Sequence, residues 1–475
     1  MIWKTAWKNV WRNRVRSLVV IISVTIGIFG GVFAVAVING AIEQRLDDAL
    51  GNEISHIQLN APGFRDNYDI KLTIPDLEKV MGKINETEHV KAVAPRIIIT
   101  GMANTATKSA GVQILGIDPA GEKEVFNLHR QTIPGTGDFF ETENRHNLAY
   151  IGEDLAKELN IIRFVIDDGI LADLGEKQIP PETLEKLSGY AGHRFRSEDD
   201  FEKKMKEILT RKEMDEYGRA IREAAWSFSE RSRMTLTFLD RNQVQTGAVF
   251  RIAGIYDIRN SAFEMSRVLV RKEVLANLAD LEENEVHRLI VKLDDADFSG
   301  EVTSLLSESF SDLEVLEWKE IQPDLAYTTS LVTQFYAVFM AIILAALAFG
   351  IVNTMLMVVL ERTKELGMLT AIGMNKKRVF SMIMLESVFL SLVGGAVGMV
   401  VSRVAILLTS ARGIRFSSFE EGFEAMGYAS HIYPSINAGF FITVTILIIV
   451  TGILSSIYPA LKALKLDPAE ALRTE

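Results

Sequence analysis

The histidines and one glycine-bounded loop are the places where this sequence could bind a metal ion or a phosphate. The seven histidines are scattered, none pairs with another at a four-residue spacing, and no HExxH motif occurs. The segment from Gly116 to Gly121 has the start of a phosphate-binding loop, but Glu122 stands where the lysine must be and would repel a phosphate. We therefore predict no catalytic, cofactor or metal site in this chain, and we expect any enzymatic activity in a partner.

The 361–378 loop carries a different signal, in which charged residues are followed by small ones. It predicts a short helix that ends near Gly373, because glycine favours a helix C-terminus. Gly367 and Ala371, four residues apart, leave one helical face almost without side chains, so that a partner could approach it closely. Nearby charges could fix the docking register, and they are Glu361, Arg362, Lys364 and Glu365. Taken alone, this segment is better explained as an ordinary solvated loop.

Four apolar stretches must position that loop. They are 17–42, 325–360, 379–402 and 438–461, and Glu386 is the one charged residue within them. A membrane-spanning helix needs roughly 20 mostly apolar residues, whereas helices in a soluble core seldom run that far without a charge. We therefore predict a membrane protein with four transmembrane helices, called spans 1 to 4, arranged as one span, a 43–324 domain and then three spans.

The charge distribution separates the 43–324 domain from the rest of the chain. The domain has 35 basic and 53 acidic residues, and the chain as a whole has 51 and 62, so the remaining residues are net positive. An acidic soluble domain with basic membrane-proximal ends argues against nucleic-acid binding. The absence of cysteine excludes disulfides and thiolate metal sites. These features fit an exported domain of bacterial type.

The basic residues also predict the orientation in the membrane. The 1–16 segment has basic residues and no acid, which places it in the cytoplasm by the positive-inside rule. Span parity then places the 361–378 loop and the 462–475 tail in the cytoplasm, and the 403–437 loop outside with the 43–324 domain. Ala34-Val35-Ala36 resembles a signal-peptide cleavage site, but the uncharged run continues to residue 42 and favours an uncleaved anchor.

The 1–16 segment should form an amphipathic elbow helix. Trp3, Trp7 and Trp11 lie at a four-residue spacing on one helical face, with basic residues around the remainder. Indole rings favour the membrane interface, and packing against a partner protein is the alternative.

The 43–324 domain alternates helical and strand patterns, which predicts an α+β fold with helices on one face of a sheet. Between about 163 and 233 the sequence becomes charged and helical in pattern, which indicates a helical insertion. A solvated amphipathic hairpin and a partner-binding element are both open interpretations of it.

Two features inside the spans concern packing and charge. Gly27 with Gly31, and Gly394 with Gly398, have the spacing that allows close helix contact, either between two copies or within one chain. Glu386 lies near the inner interface, where a carboxylate paired with a basic neighbour is favoured over a proton relay.

The 361–378 loop resembles the coupling region of the permease family that includes the macrolide exporter, the lipoprotein-release permeases and the cell-division protein FtsX. The matching positions are Glu361, Arg362, Glu365, Leu366, Gly367, Leu369, Ala371 and Gly373. The opening from Ala6 to Arg14 and the closing segment from Tyr458 to Arg473 are similar to the family's ends, and the order of spans is the same.

The resemblance implies a non-catalytic permease subunit of an ABC transporter in the bacterial inner membrane. It would pair with a second permease copy or paralogue, and a separate cytosolic ATPase dimer would bind ATP and Mg²⁺ and move the exported domain. The 109–119 and 418–427 segments look most like lipoprotein-release permeases, which implies lipoprotein transport. The alternatives are an efflux permease working with a periplasmic adaptor, and an FtsX-like regulator that activates a cell-wall hydrolase.

Overall fold

The computed structural model describes residues 2–464 except 13, 141–146, 178, 196–197, 230–231, 418–421, 424–425 and 430. Most of the predicted 462–475 tail, with the closing motif, and part of the 418–427 segment therefore lie outside the described residues. The chain forms two compact units. The first comprises Met1–Leu46, Asp324–Phe423 and Tyr428–Glu475, and the second comprises Asp47–Pro323 with Glu424–Gly427.

In the part of the first unit that the structure describes, four helices are long and apolar enough to cross a membrane. Its helices are the elbow helix Ile2–Arg12, span 1 Arg14–Asp48, span 2 Pro323–Glu361, a loop helix Thr363–Ala371, span 3 Lys376–Ser410 and span 4 Ala438–Leu464. Each is close to its predicted place. Span 3 nevertheless continues eight residues into the predicted 403–437 loop, since a helix of 35 residues is about 50 Å long and outruns the hydrocarbon core.

The paired glycines pack the spans of one chain against each other. A Cβ on Gly27 would meet the side chain of Leu347 in span 2, and one on Gly394 would meet Val24 in span 1. The Thr25 hydroxyl donates to the Gly394 carbonyl at 3.0 Å. Gly31 and Gly398 make equivalent contacts with spans 2 and 1. Of the two roles that the spacing allows, the structure therefore shows close contact within the chain.

The second unit, here called the large domain, is built on a nine-stranded mixed sheet. Within the residues that the structure describes, its strands in chain order are β1 Ile57–Asn60, β2 Val90–Asn104, β3 Ser109–Ile117, β4 Leu148–Gly152, β5 Ile162–Ile166, β6 His193–Phe195, β7 Trp226–Phe228, β8 Arg233–Leu239, β9 Gln245–Tyr256, β10 Arg267–Arg271, β11 Arg288–Leu293 and β12 Glu314–Glu317. The order across the main sheet is β12-β1-β11-β2-β3-β10-β4-β9-β8, and the far end of β2 also pairs with β8.

Helices cover both faces of this sheet, which corrects the prediction of helices on one face. One face buries the apolar sides of helices Leu77–Asn85, Glu153–Glu158, Lys272–Ala279 and Ser299–Ser309. The other face packs against Phe64, Val125 and Phe263, which belong to helices Phe64–Asn67, Pro119–Val125 and Ser261–Ser266. Central strands such as β2 are apolar at successive positions, Ile97 to Ile99, because both of their faces are buried.

The predicted helical insertion is an α/β subdomain, which corrects its description as helical. Strands β6-β5-β7 form a three-stranded sheet. Four helices accompany it, Asp168–Glu176, Pro181–Ser188, Glu198–Ile208 and Arg211–Ala225. Phe164, Phe195 and Phe201 form part of a separate apolar core. These strands are three to five residues long, too short for a period-two pattern to stand out between charged helices.

Candidate functional site

The loop helix ends where its sequence predicts. Gly373 adopts φ +94°, a left-handed conformation that glycine tolerates. The amide of Met374 donates to the Leu369 carbonyl at 3.0 Å, which closes the helix C-terminus. Asn375 then caps span 3 by accepting from the Lys377 amide at 2.9 Å. The two helices are thereby joined by a short, defined turn.

The predicted small-residue face of the loop helix is only partly accessible. Leu366 and Gly367 are buried, whereas Ala371 and Gly373 are exposed. The exposed face therefore does not include Gly367, because this side of the helix packs within its own unit. Two large apolar side chains flank Ala371 on the accessible side, namely Met368, 52% exposed, and Ile372, 79% exposed.

The acidic residues of the loop are not simply solvated, because two arginines near the N-terminus form ion pairs with them. Arg12 of the elbow helix donates to both carboxylate oxygens of Glu365 at 2.8 and 2.7 Å. Arg16, at the start of span 1, contacts the carboxylate of Glu361. The elbow helix and the loop helix, about 350 residues apart in sequence, are thus joined by ion pairs.

A buried carboxylate lies at the centre of this network. Glu386 of span 3 accepts two hydrogen bonds from Arg362 at 3.1 and 3.2 Å, and one from the Asn9 amide at 2.6 Å. The Glu386 side chain is 5% exposed and that of Arg362 is 16% exposed. The structure thus pairs Glu386 with a basic partner, which is Arg362 of the 361–378 loop.

The charges around the 361–378 loop favour the charged forms of Arg362 and Glu365. Burial alone would lower the pKa of Arg362, but the negative charges of Glu386 and Glu365 outweigh it and raise that pKa. The hydrogen bond from Arg12, followed by the contact with Arg362, lowers the pKa of Glu365. Arg362 and Glu365 therefore stay charged at neutral pH.

The elbow tryptophans pack on span 3. The rings of Trp3 and Trp7 meet Phe389 edge-on, with centroids 4.9 and 5.4 Å apart, and Trp7 contacts Trp11 at 6.0 Å. All three indoles keep more than 40% of their surface exposed. They can therefore also contact lipid, and their place at the membrane interface stays a prediction.

A polar cavity of about 320 Å³ lies beside this network. Its lining is ionic on one side and apolar on the other, and includes Asn9, Arg12, Arg16, Met355, Glu361, Arg362, Glu365, Glu386 and Leu390. Each of its three carboxylates pairs with an arginine, so the ion pairs join the elbow helix, spans 1 to 3 and the loop helix.

Three carboxylates also converge in the large domain, with oxygens of Glu153, Asp257 and Glu264 within 4.8 Å of one another. Each already has a partner. Glu153 pairs with Lys157 at 3.1 Å, Asp257 accepts from the Arg259 amide, and Glu264 accepts from two backbone amides. This cluster therefore gives no ground for a metal site.

Sequence reasoning missed Asn9, Arg12 and Arg16 as site residues, because their partners are distant in sequence. It also omitted Met368 and Ile372, although their four-residue spacing around Ala371 is a readable signal of one apolar helical face.

Two family profiles match the chain. Residues 17–177 match the MacB-like periplasmic core domain, and residues 337–468 match the FtsX-like permease C-terminal domain. The extracellular domain of the transporter YknZ from Gram-positive bacteria is a structural neighbour at 13% identity, covering 55% of this chain and 98% of that one, with a TM-score of 0.28.

Curated relatives carry related names. An uncharacterized ABC transporter permease of Methanocaldococcus jannaschii is 33% identical over 179 residues, which is 37% of this chain and 42% of that protein. The macrolide export ATP-binding/permease protein MacB of Bdellovibrio bacteriovorus is 25% identical over 409 residues, covering 86% of this chain and 50% of that protein. The chain thus spans half or less of the length of these relatives.

The first profile covers span 1 and the first part of the large domain, and the second covers spans 2 to 4 with the loop between them. The chain belongs to the ABC transporter permeases of the MacB/FtsX-like family.

Proposed function

We propose that this chain is a permease subunit that transmits movement of a separate cytosolic ATPase to the large domain on the other side of the membrane. The observation that carries the proposal is the ion-pair network that ties the loop helix to the elbow helix and to span 3. ATP and Mg²⁺ would bind to the ATPase, and this chain would supply the mechanical connection.

The network suits transmission because its members cannot move independently without separating charges. Arg362 joins Glu365 of the loop helix to Glu386 of span 3, and Arg12 joins Glu365 to the elbow helix. Separating the buried pair would leave a charge without compensation in a poorly solvated site, which is costly. Displacement of the loop helix should therefore carry the elbow helix and span 3 with it.

The accessible face of the loop helix is the proposed ATPase contact. Met368, Ala371 and Ile372 lie at the three- and four-residue spacings that place side chains on one side of a helix. A helix that presents such an apolar stripe typically binds in a groove of its partner. The centre of the proposed ATPase contact is therefore Ile372 rather than Gly367, which is buried.

Substitution of Ile372 tests this contact. Ile372→Asp places a charge in the centre of the apolar stripe and should abolish copurification of the ATPase with the full chain, while membrane insertion stays normal. Lys8→Asp is the control, because it introduces an aspartate, with a larger change in charge, at an exposed elbow position outside the stripe and should leave ATPase binding intact. Normal ATPase association of the Ile372→Asp chain would refute the proposed contact.

For the substrate, we propose lipoprotein release from the inner membrane by a pair of permease subunits. The support is the resemblance of the 109–119 and 418–427 segments to lipoprotein-release permeases. Complex purified in mild detergent should then contain acylated protein, detectable by mass spectrometry. Purified complex that contains no acylated protein would refute lipoprotein release.

A second candidate is efflux of a small molecule, favoured by the macrolide export named in several relatives. Deletion of the gene should then sensitise cells to a compound, and the large domain should bind a periplasmic adaptor. Sensitisation without acylated protein in the complex would favour efflux over lipoprotein release.

A further inference from the structure

The end of span 3 that lies away from the loop helix carries one isolated charge. Arg403 is the only charged residue between Glu386 and Arg412. The sequence pattern predicts Arg403 in the 403–437 loop, whereas the structure places it inside span 3. Ionisable residues in membrane helices usually pair with another charged or polar group, so the surroundings of Arg403 require an explanation.

The position of Arg403 along span 3 corresponds to the level of lipid headgroups. It lies 27 positions after Lys376, the first residue of the span, which is about 40 Å along a helix axis. The hydrocarbon core of a bilayer is about 30 Å thick, and the bilayer is about 40–45 Å thick with its headgroup regions. A span that starts at one interface therefore brings Arg403 to the phosphates of the opposite leaflet, which the charge distribution predicts to be the outer one.

An apolar groove of about 630 Å³ lies beside Arg403, between spans 3 and 4. Its lining includes Met399 and Val400 of span 3 and Phe441 and Ile442 of span 4. Val400 and Ile442 are 63% and 65% exposed, so the groove is open at the surface of the membrane unit. Its volume is within the range of roughly 300–1,000 Å³ that is typical of ligand sites, and it can hold part of a hydrocarbon chain.

The packing of spans 3 and 4 places Arg403 at one end of this groove. The Thr445 hydroxyl contacts the Met399 sulfur at 3.5 Å, and a Cβ on Gly395 would meet Ile448, so the two helices run antiparallel here. Arg403 lies one helical turn beyond Met399, and the first residue of span 4 lines the groove towards the same end. The positive end of the span 4 helix dipole therefore adds to the charge of the arginine.

Among the residues that the structure describes, Arg403 forms no ion pair with a carboxylate, and its side chain is exposed. The other residues that line the groove are uncharged. The site thus combines one cation at headgroup depth with an apolar surface that extends towards the middle of the bilayer. This combination matches a molecule with an anionic head and a hydrocarbon chain.

We propose that the groove between spans 3 and 4 binds an anionic phospholipid, with its phosphate on Arg403 and one acyl chain along Met399, Val400 and Ile442. A guanidinium group donates parallel hydrogen bonds that match the oxygens of a phosphate, while its aliphatic stem lies along the apolar surface. An acyl chain attached to a protein has no phosphate, so Arg403 favours a phospholipid over the anchor of a lipoprotein. The site therefore goes beyond the proposed function.

Native mass spectrometry of the full chain in detergent tests this site. Delipidated protein is titrated with dioleoylphosphatidylglycerol and, in parallel, with dioleoylphosphatidylcholine, which has the same acyl chains but no net charge. The wild type should prefer the anionic lipid, and Arg403→Gln should bind it about tenfold more weakly and lose the preference. Arg412→Gln is the matched control, because it removes the same charge at an exposed position outside the groove, and it should bind like the wild type.

A substitution that fills the groove tests the contact with the acyl chain. Ala396→Phe places a ring among the lining residues and should weaken binding of the anionic lipid severalfold. Val397→Phe adds the same ring at the next position, which does not line the groove, and should leave lipid binding unchanged. Absence of a preference for the anionic lipid in the wild type, or equal affinity of Arg403→Gln and the wild type, would overturn the proposal.

The same spectra show whether a second copy of the chain occupies the groove instead. A dimer that Ala396→Phe converts to a monomer, with lipid binding unchanged, would identify the groove as a protein interface and would refute the lipid site. Copurification of the ATPase should be normal in Arg403→Gln, because the groove is at the end of span 3 away from the loop helix. Failure of the lipid site is therefore distinguishable from failure of the proposed function.

Discussion

Removal of Arg362 should destabilise the membrane unit far more than removal of Arg12. Arg362→Met leaves Glu386 in place, and this carboxylate is 5% exposed and keeps only the Asn9 amide as a neutral donor. Breaking a buried ion pair by removing one partner typically costs 3–5 kcal/mol, about the amount expected here. Methionine keeps most of the arginine's length, so lost packing should contribute little.

A double substitution separates the effect of the buried charge on the free energy of unfolding from the effect of side-chain shape. Arg362→Met combined with Glu386→Met replaces the pair with apolar side chains of similar size, a change that is often neutral or stabilising by about 1–4 kcal/mol. The free energy of unfolding of the double variant should therefore return to the wild-type value or exceed it. The coupling energy in a double-mutant cycle should then be about 3 kcal/mol or more.

Unfolding of the full chain by denaturant in mixed detergent micelles measures these differences. The matched control is the exposed pair of the same network, Arg12 and Glu365, whose side chains are 53% and 47% exposed. Arg12→Gln should cost less than about 1 kcal/mol, because water solvates both groups after separation. Equal costs for Arg362→Met and Arg12→Gln would show that Glu386 is solvated, and the claim of a buried ionic centre would be wrong.

Two further perturbations test the packing and the buried charge elsewhere. Gly394→Ala should destabilise the membrane unit by about 1–3 kcal/mol in the same assay, because its Cβ would lie 2.8 Å from Val24 Cβ and 2.9 Å from the Ile21 carbonyl, whereas Gly30→Ala, with open space around its Cβ, should be neutral. In the large domain, burial raises the pKa of Glu264 from 4.5 to about 7, so the folded state favours the protonated carboxyl. The contribution of Glu264 to the free energy of unfolding is therefore most favourable below about pH 4.5 and is lost as the pH rises towards 7. Glu264→Gln should remove this dependence and raise stability at pH 8 by up to about 3 kcal/mol, and an unchanged difference between unfolding at pH 5 and pH 8 would contradict it.

The spans and several strands follow from local patterns alone. Four long apolar runs, with Glu386 as the one charged residue among them, predict four long helices, since a helix satisfies its backbone hydrogen bonds within its own segment in lipid. Strand β11, Arg288–Leu293, is also readable from the sequence, because a short apolar run there is bounded by charged residues. The end of the loop helix at Gly373 was equally readable, because the left-handed turn there suits glycine.

The functional contacts could not be read in the same way, because they join residues that are distant in sequence. Nothing in the local sequence at Arg12 indicates Glu365, 353 positions away, as its partner. The burial of Gly367 likewise depends on how the loop helix folds back against its own unit. Small residues at a four-residue spacing allow close contact, but the spacing cannot say whether the contacting surface belongs to the same chain or to a partner.

The route that force would follow under the proposed function is set by chain connectivity as well as by contacts. Span 2 runs directly into the loop helix through Glu361 and Arg362. Span 1 is paired with the end of span 2 through Arg16 and Glu361, and the elbow helix that precedes span 1 is paired with the loop helix through Arg12 and Glu365. Spans 1 and 2 are the two helices that connect covalently to the large domain. One displacement of the loop helix therefore acts on both connections at once, through the backbone on one side and through exposed ion pairs on the other. Because exposed ion pairs are weak and screened by salt, the connection through span 1 should be the one that ionic strength can loosen.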